Sequence, residues 1–113
     1  MTDAPDKLQI VIPLFPEFTA LDAIGPYEVV QHNPGVAVTF IGHQVGLVRS
    51  DNGQLAIQMD ATFEDFPEPD LIVFPGGPGA RAMMTDERVL SWLRSAHATT
   101  SPSGVIGAGR FQL

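Results

Sequence analysis

"LQIVIPLFPEFTALDAIGPYEVVQHNPGVAVTFIG", residues 8–42, decides the fold. Leu8–Phe15 is nearly continuous in apolar residues, the pattern of a strand buried on both faces. Val36–Gly42 repeats that pattern. Between them, Thr19–Gln31 places Leu21, Ile24, Val29 and Val30 at helical rather than strand spacing. Strand, helix, strand makes a βαβ unit, and such a unit pairs its strands in parallel.

Working outward, "GLVRSDNGQLAIQM" alternates about Asp51-Asn52-Gly53 and reads as a β-hairpin. "FEDFPEPD" reads as a loop, and Leu71–Phe74 as a third buried strand. "TDERVLSWLRSAH" predicts a helix with Thr85 as N-cap and Val89, Leu90, Leu93 and Ala96 on one stripe. Residues 1–6 are polar and read as a disordered N-terminus, which leaves residues 7–113 as one domain. After about Thr100 the character changes. Pro102, Gly104, Gly107 and Gly109 oppose a strand in the middle of a sheet, so the outer edge of the third strand is expected to lie bare.

Composition narrows the function. Thirteen acids against six bases give a net charge of −7, the wrong sign for a nucleic-acid partner. No run reaches about 18 apolar residues and no export signal opens the chain, so the expectation is a cytoplasmic protein without a membrane partner. There is no cysteine, hence no disulfide, thiolate metal site or thiol nucleophile. The histidines show no metal-ligand spacing, and neither a metal nor a cofactor is expected. His32 and His43 are read as solvated, and His97 as a cation in the last turn of a helix. Trp92, Met83 and Met84 are read as packing residues. Ser101 and Ser103 are the hydroxyls near a place where a nucleophile would be sought, but no histidine is placed to activate them.

Ligands of open α/β sheets bind beyond the carboxyl ends of the strands. Asp22 follows the first strand, and Pro75-Gly76-Gly77 follows the third. Gly76 and Gly77 can aim successive N–H groups at a developing negative charge, or simply make a strand-to-helix turn. Asp22 can transfer protons as a general acid or base. It also fits N3 of a capping box begun by Thr19. Pro26 implies a kink in the helix, or a helix that starts late.

These two segments together resemble the N-terminal half of the ThiJ/PfpI superfamily, and within it the isonitrile hydratase branch. The Leu-Asp-x-x-Gly-Pro motif is met by Leu21, Asp22, Gly25 and Pro26, and the Pro-Gly-Gly turn by Pro75, Gly76 and Gly77. The likeness covers residues 8 to about 100. It implies a flavodoxin-like α/β fold: a parallel sheet with flanking helices and the hairpin, here expected to be incomplete at the C-terminus, and a homodimer. It implies hydration of an isonitrile to an N-substituted formamide, with Asp22 assisting proton transfer and the backbone amides of Gly76 and Gly77 lining the pocket. The family's nucleophile is a cysteine on a tight turn after the next strand. Pro102 and Ser103 stand roughly where that Cys-Thr pair belongs, so a truncated or frameshifted ending and an inactive chain are expected. The alternatives are a non-catalytic domain for a small-molecule ligand, like the amidase-like domain of AraC-type transcription regulators, and a remnant. A remnant would leave Ile10, Val11, Ile12 and Leu71–Phe74 partly uncovered.

Overall fold

The computed structural model describes residues 7–99 and 105–107. In chain order it contains β1 (Leu8–Pro13), α1 (Ala20–Val30), β2 (Val36–Gly42), β3 (Gly46–Arg49), β4 (Ala56–Met59), β5 (Ala61–Thr62), β6 (Leu71–Phe74), α2 (Ala80–Met84), α3 (Glu87–Thr99) and β7 (Val105–Gly107). A single 3-10 turn, Phe63–Asp65, follows β5 inside the expected loop.

Five strands form one parallel sheet in the order β5-β2-β1-β6-β7. The βαβ unit is as read. β1 pairs with β2 from Leu8↔Val36 to Pro13↔Ile41, and with β6 at Ile10↔Leu71 and Val11↔Ile72. β3 and β4 form the antiparallel hairpin around Asp51–Gly53, with Gly53 in the left-handed region at φ 76°.

The continuous apolar runs are explained by burial. Ile10, Val11, Ile12, Leu14 and Phe15 are buried, as are Ile72, Val73 and Phe74. Leu71 is half-buried. The uncovered strands expected of a remnant are therefore not seen among the described residues. Phe15 and Phe74 stack with centroids 6.0 Å apart, which locks the carboxyl ends of β1 and β6 together. Removing either fully buried ring would cost about 3–5 kcal/mol.

Four local expectations are corrected. Val105–Gly107 does form a strand, paired with β6 through Ile72↔Val105, so the outer edge of β6 is not bare. The strand stands last in the sheet order rather than in its middle, where glycine is better tolerated. Next, α1 starts at Ala20 and runs through Pro26 without a late start. Third, Thr85 is not the N-cap of α3. It closes the short helix α2, and Asp86 caps α3 instead, its Oδ1 accepting from the N–H groups of Arg88 at 3.0 Å and Val89 at 3.4 Å. Last, the buried stripe of α3 is Val89, Trp92, Leu93 and Ala96, with Leu90 half-buried.

The expectations for residues 1–6 and for Ser101, Pro102 and Ser103 lie outside the described residues.

Candidate functional site

The sheet order reverses direction at β1. From there one connection leads to β2 on one side, and β6 lies on the other. The crevice beyond the carboxyl ends of β1 and β6 is the switch point where α/β sheets bind ligands. Both sequence-predicted elements arrive there.

β1 is followed by Leu14 to Thr19, a strap with a turn at Pro16-Glu17 that leads into α1. Thr19 is the N-cap residue, with φ −81° and ψ 118°, but its side chain makes no capping hydrogen bond. Asp22 does not complete a capping box. Its carboxylate Oδ2 instead accepts from the N–H of Gly76, at 3.2 Å and 54 residues away in sequence. The same residue is held a second time through its carbonyl, where Gly76 O accepts from Thr19 N at 2.9 Å. Strap, first helical turn and Pro-Gly-Gly turn thus form one hydrogen-bonded unit. Pro26 has no N–H to return to the Asp22 carbonyl, so the helix is loosened at the residue that carries the carboxylate.

Gly77 is required to be glycine twice over. Its φ is 133°, and a Cβ there would lie 2.6 Å from Glu17 O and 2.7 Å from Thr19 N. Its carbonyl accepts from Ala80 N at 3.0 Å, which starts α2. Gly76 N–H is spent on Asp22, whereas no described residue accepts from Gly77 N–H. Of the two turn amides, Gly77 is the one free among the described residues to meet a ligand. Asp22 is half-buried, so its carboxylate is held by the protein yet reachable.

A second polar cluster stands past the end of β2, and sequence reading missed it. His43 is not simply solvated. Its Nε2 donates to Asp86 Oδ2 at 2.7 Å, and its ring meets Phe63 edge-on at 5.2 Å. The Arg88 guanidinium lies over the Phe63 ring, 5.7 Å from its centroid, and makes paired bonds of 2.8 and 2.7 Å to Glu64. Trp92 packs on Phe63 and donates its Nε1–H to Phe66 O at 2.8 Å. The hydrogen bond from His43 holds the Asp86 carboxyl below the usual aspartate range. The hydrogen bonds from Arg88 bring Glu64 down from 4.5 to about 2. The signal in the sequence was Asp86, three residues before the apolar Val89 stripe. His43 is 43 residues away and carries no local signal. His32, by contrast, is exposed in the turn after α1 and pairs with Glu28 of that helix.

Among the described residues no group of three or more His, Asp or Glu could hold a metal ion. No described helix is long and apolar enough to cross a membrane.

The sequence pattern of the DJ-1/PfpI family matches residues 8–113. The chain belongs to the DJ-1/PfpI family. It is 41% identical over 91 residues to the isonitrile hydratase of Pseudomonas putida, an alignment that takes in 80% of this chain and 40% of that enzyme. The crystal structure of a ThiJ/PfpI family protein from Pseudomonas syringae superposes with a TM-score of 0.78 at 27% identity, over 88% of this chain and 46% of that one. DJ-1beta of Drosophila melanogaster shares the fold, with a TM-score of 0.78 at 22% identity over 89% of this chain and 54% of its own. The chain thus spans about half the length of these relatives or less.

Proposed function

We propose that the chain carries the proton-transfer and anion-binding half of an isonitrile hydratase-like site. The observation that supports this is the contact between Asp22 Oδ2 and Gly76 N at the switch point, made in preference to a helix cap. Hydration adds one water across the isonitrile carbon and leaves an N-substituted formamide. Asp22 moves the proton. One of its oxygens is held by Gly76, which leaves the other to face the substrate. Gly77 N–H donates to the negative charge that develops on attack. The 113 residues contain no cysteine, so the chain alone lacks the family's nucleophile and is inactive.

The same absence favours a second reading, a non-catalytic domain that binds a small polar ligand at Asp22 and Gly77. Leu21 and Val29, both about three-quarters exposed on α1, support a homodimer that covers this apolar face. A nucleic-acid partner is not part of the proposal, because the net charge of −7 is the wrong sign for one.

The test is incubation of the purified chain with an alkyl isonitrile, with formamide followed by mass spectrometry. No product above background is expected. Turnover abolished by Ser103→Ala would overturn the inactive reading.

A further inference from the structure

Gly79 looks like an ordinary helix N-cap glycine, yet its backbone does not need one. Its φ of −75° and ψ of −8° are right-handed helical values that any residue adopts. What excludes a side chain is contact. A Cβ on Gly79 would fall 1.9 Å from Pro16 O, 3.1 Å from Pro16 C and 3.0 Å from Phe15 Cδ1. Two of those atoms are backbone, so no side-chain rotation relieves the overlap.

The segment that Gly79 touches is under strain. Glu17 has φ 68°, the one positive φ outside glycine among the described residues. It is laced on both sides. The hairpin holds it through Glu17 N to Arg49 O at 3.0 Å and through Asp51 N to Phe18 O at 2.9 Å. The turn after β6 holds it through Gly79 N to Glu17 O at 3.3 Å and Thr19 N to Gly76 O at 2.9 Å. A disfavoured conformation persists only where its surroundings over-determine it.

We infer that Gly79 is a positioning residue for Asp22: its missing Cβ lets the turn after β6 close on Pro16, which keeps Glu17 in its left-handed conformation and sets the Asp22 carboxylate on the Gly76 N–H. Gly79 touches no reacting atom in this account. It acts through the strap. The inference rests on the reading of Asp22 as the proton-transferring group, but its test requires no turnover.

The test is amide hydrogen exchange on the whole chain, comparing Gly76 with Asp60. The Asp60 N–H bonds Phe40 O at 3.1 Å, on the other side of the sheet. Gly79→Ala is expected to speed exchange at Gly76 by about tenfold or more while Asp60 changes little. Equal acceleration at both amides would reduce Gly79 to a general stability role, and no change at Gly76 would remove the role altogether. Either result overturns the inference. If Gly79→Ala does not fold, Glu17→Gly decides. It relieves the left-handed backbone without adding an atom at the contact. A raised thermal midpoint with Gly76 still protected is expected, and a lowered midpoint with Gly76 exposed would contradict the inference. A chain inert toward isonitriles would leave these exchange rates as they are, so the two readings fail separately.

Discussion

Asp22 Oδ2 accepts from Gly76 N at 3.2 Å, although the carboxylate belongs to the first turn of α1 and could have capped its own helix. The bond joins the two motifs that carry the family resemblance, and it makes a stability prediction that a capping role does not. Asp22→Ala leaves the buried Gly76 N–H without a partner, at about 1–3 kcal/mol. Asp22→Asn keeps an acceptor oxygen and should cost less. Thr19→Ala should stay within about 0.5 kcal/mol, because the Thr19 side chain makes no cap bond. Urea denaturation of the three variants checks the ranking.

Asp86 has two tasks, the cap of α3 and the partner of His43. Asp86→Ala should therefore lower the thermal midpoint more than His43→Ala, which removes one task. Thr85→Ala should do least, since the Thr85 hydroxyl bonds only Ala82 O within its own turn. Calorimetry of the three variants orders them. Thr85→Ala as the most damaging of the three would restore Thr85 as the cap.

Acid should loosen the cluster past β2. Glu64 is lowered to about 2 by its hydrogen bonds to Arg88, and Asp86 is lowered by its hydrogen bond from His43. A carboxylate depressed in the folded state adds stability above its ordinary value, and that stability is lost as pH falls through the folded value. For Glu64 the window runs from 4.5 down to about 2. Arg88→Met should lie below wild type above that window and converge on it toward pH 2. The gap should shrink in high salt, since the pair is exposed. Denaturation midpoints across pH measure both effects.

Leu21 and Val29 are the most exposed large apolar residues among those described. If a second copy covers them, sedimentation should give a dimer for wild type and a monomer for Leu21→Glu with Val29→Glu. A wild-type monomer would set the homodimer aside.

The βαβ unit, the hairpin and β6 were legible because their apolar runs differ in period. β5 was not, since two residues carry no period, and β7 was hidden by glycine next to it. Spacing marked α1 as a helix but did not give its inward face. Of the four apolar positions Val30 packs on the core with Ala20, Ala23 and Tyr27, while Leu21 and Val29 are exposed, and hydrophobicity alone does not say which stripe a sheet accepts. At the site, Asp22 and Gly76 could be placed on one rim from strand order. Their hydrogen bond, the left-handed Glu17 and the His43–Asp86 pair are long-range or conformational facts, and local sequence does not encode them.

The most direct measurement is a 1H–15N titration of the labelled chain with an alkyl isonitrile, read together with the formamide proton. Saturable shifts at Gly77 and Gly76, lost in Asp22→Ala, with no formamide signal, are predicted. Unchanged Gly77 and Gly76 resonances at saturating ligand would contradict the site, and a growing formamide signal would contradict the inactive chain.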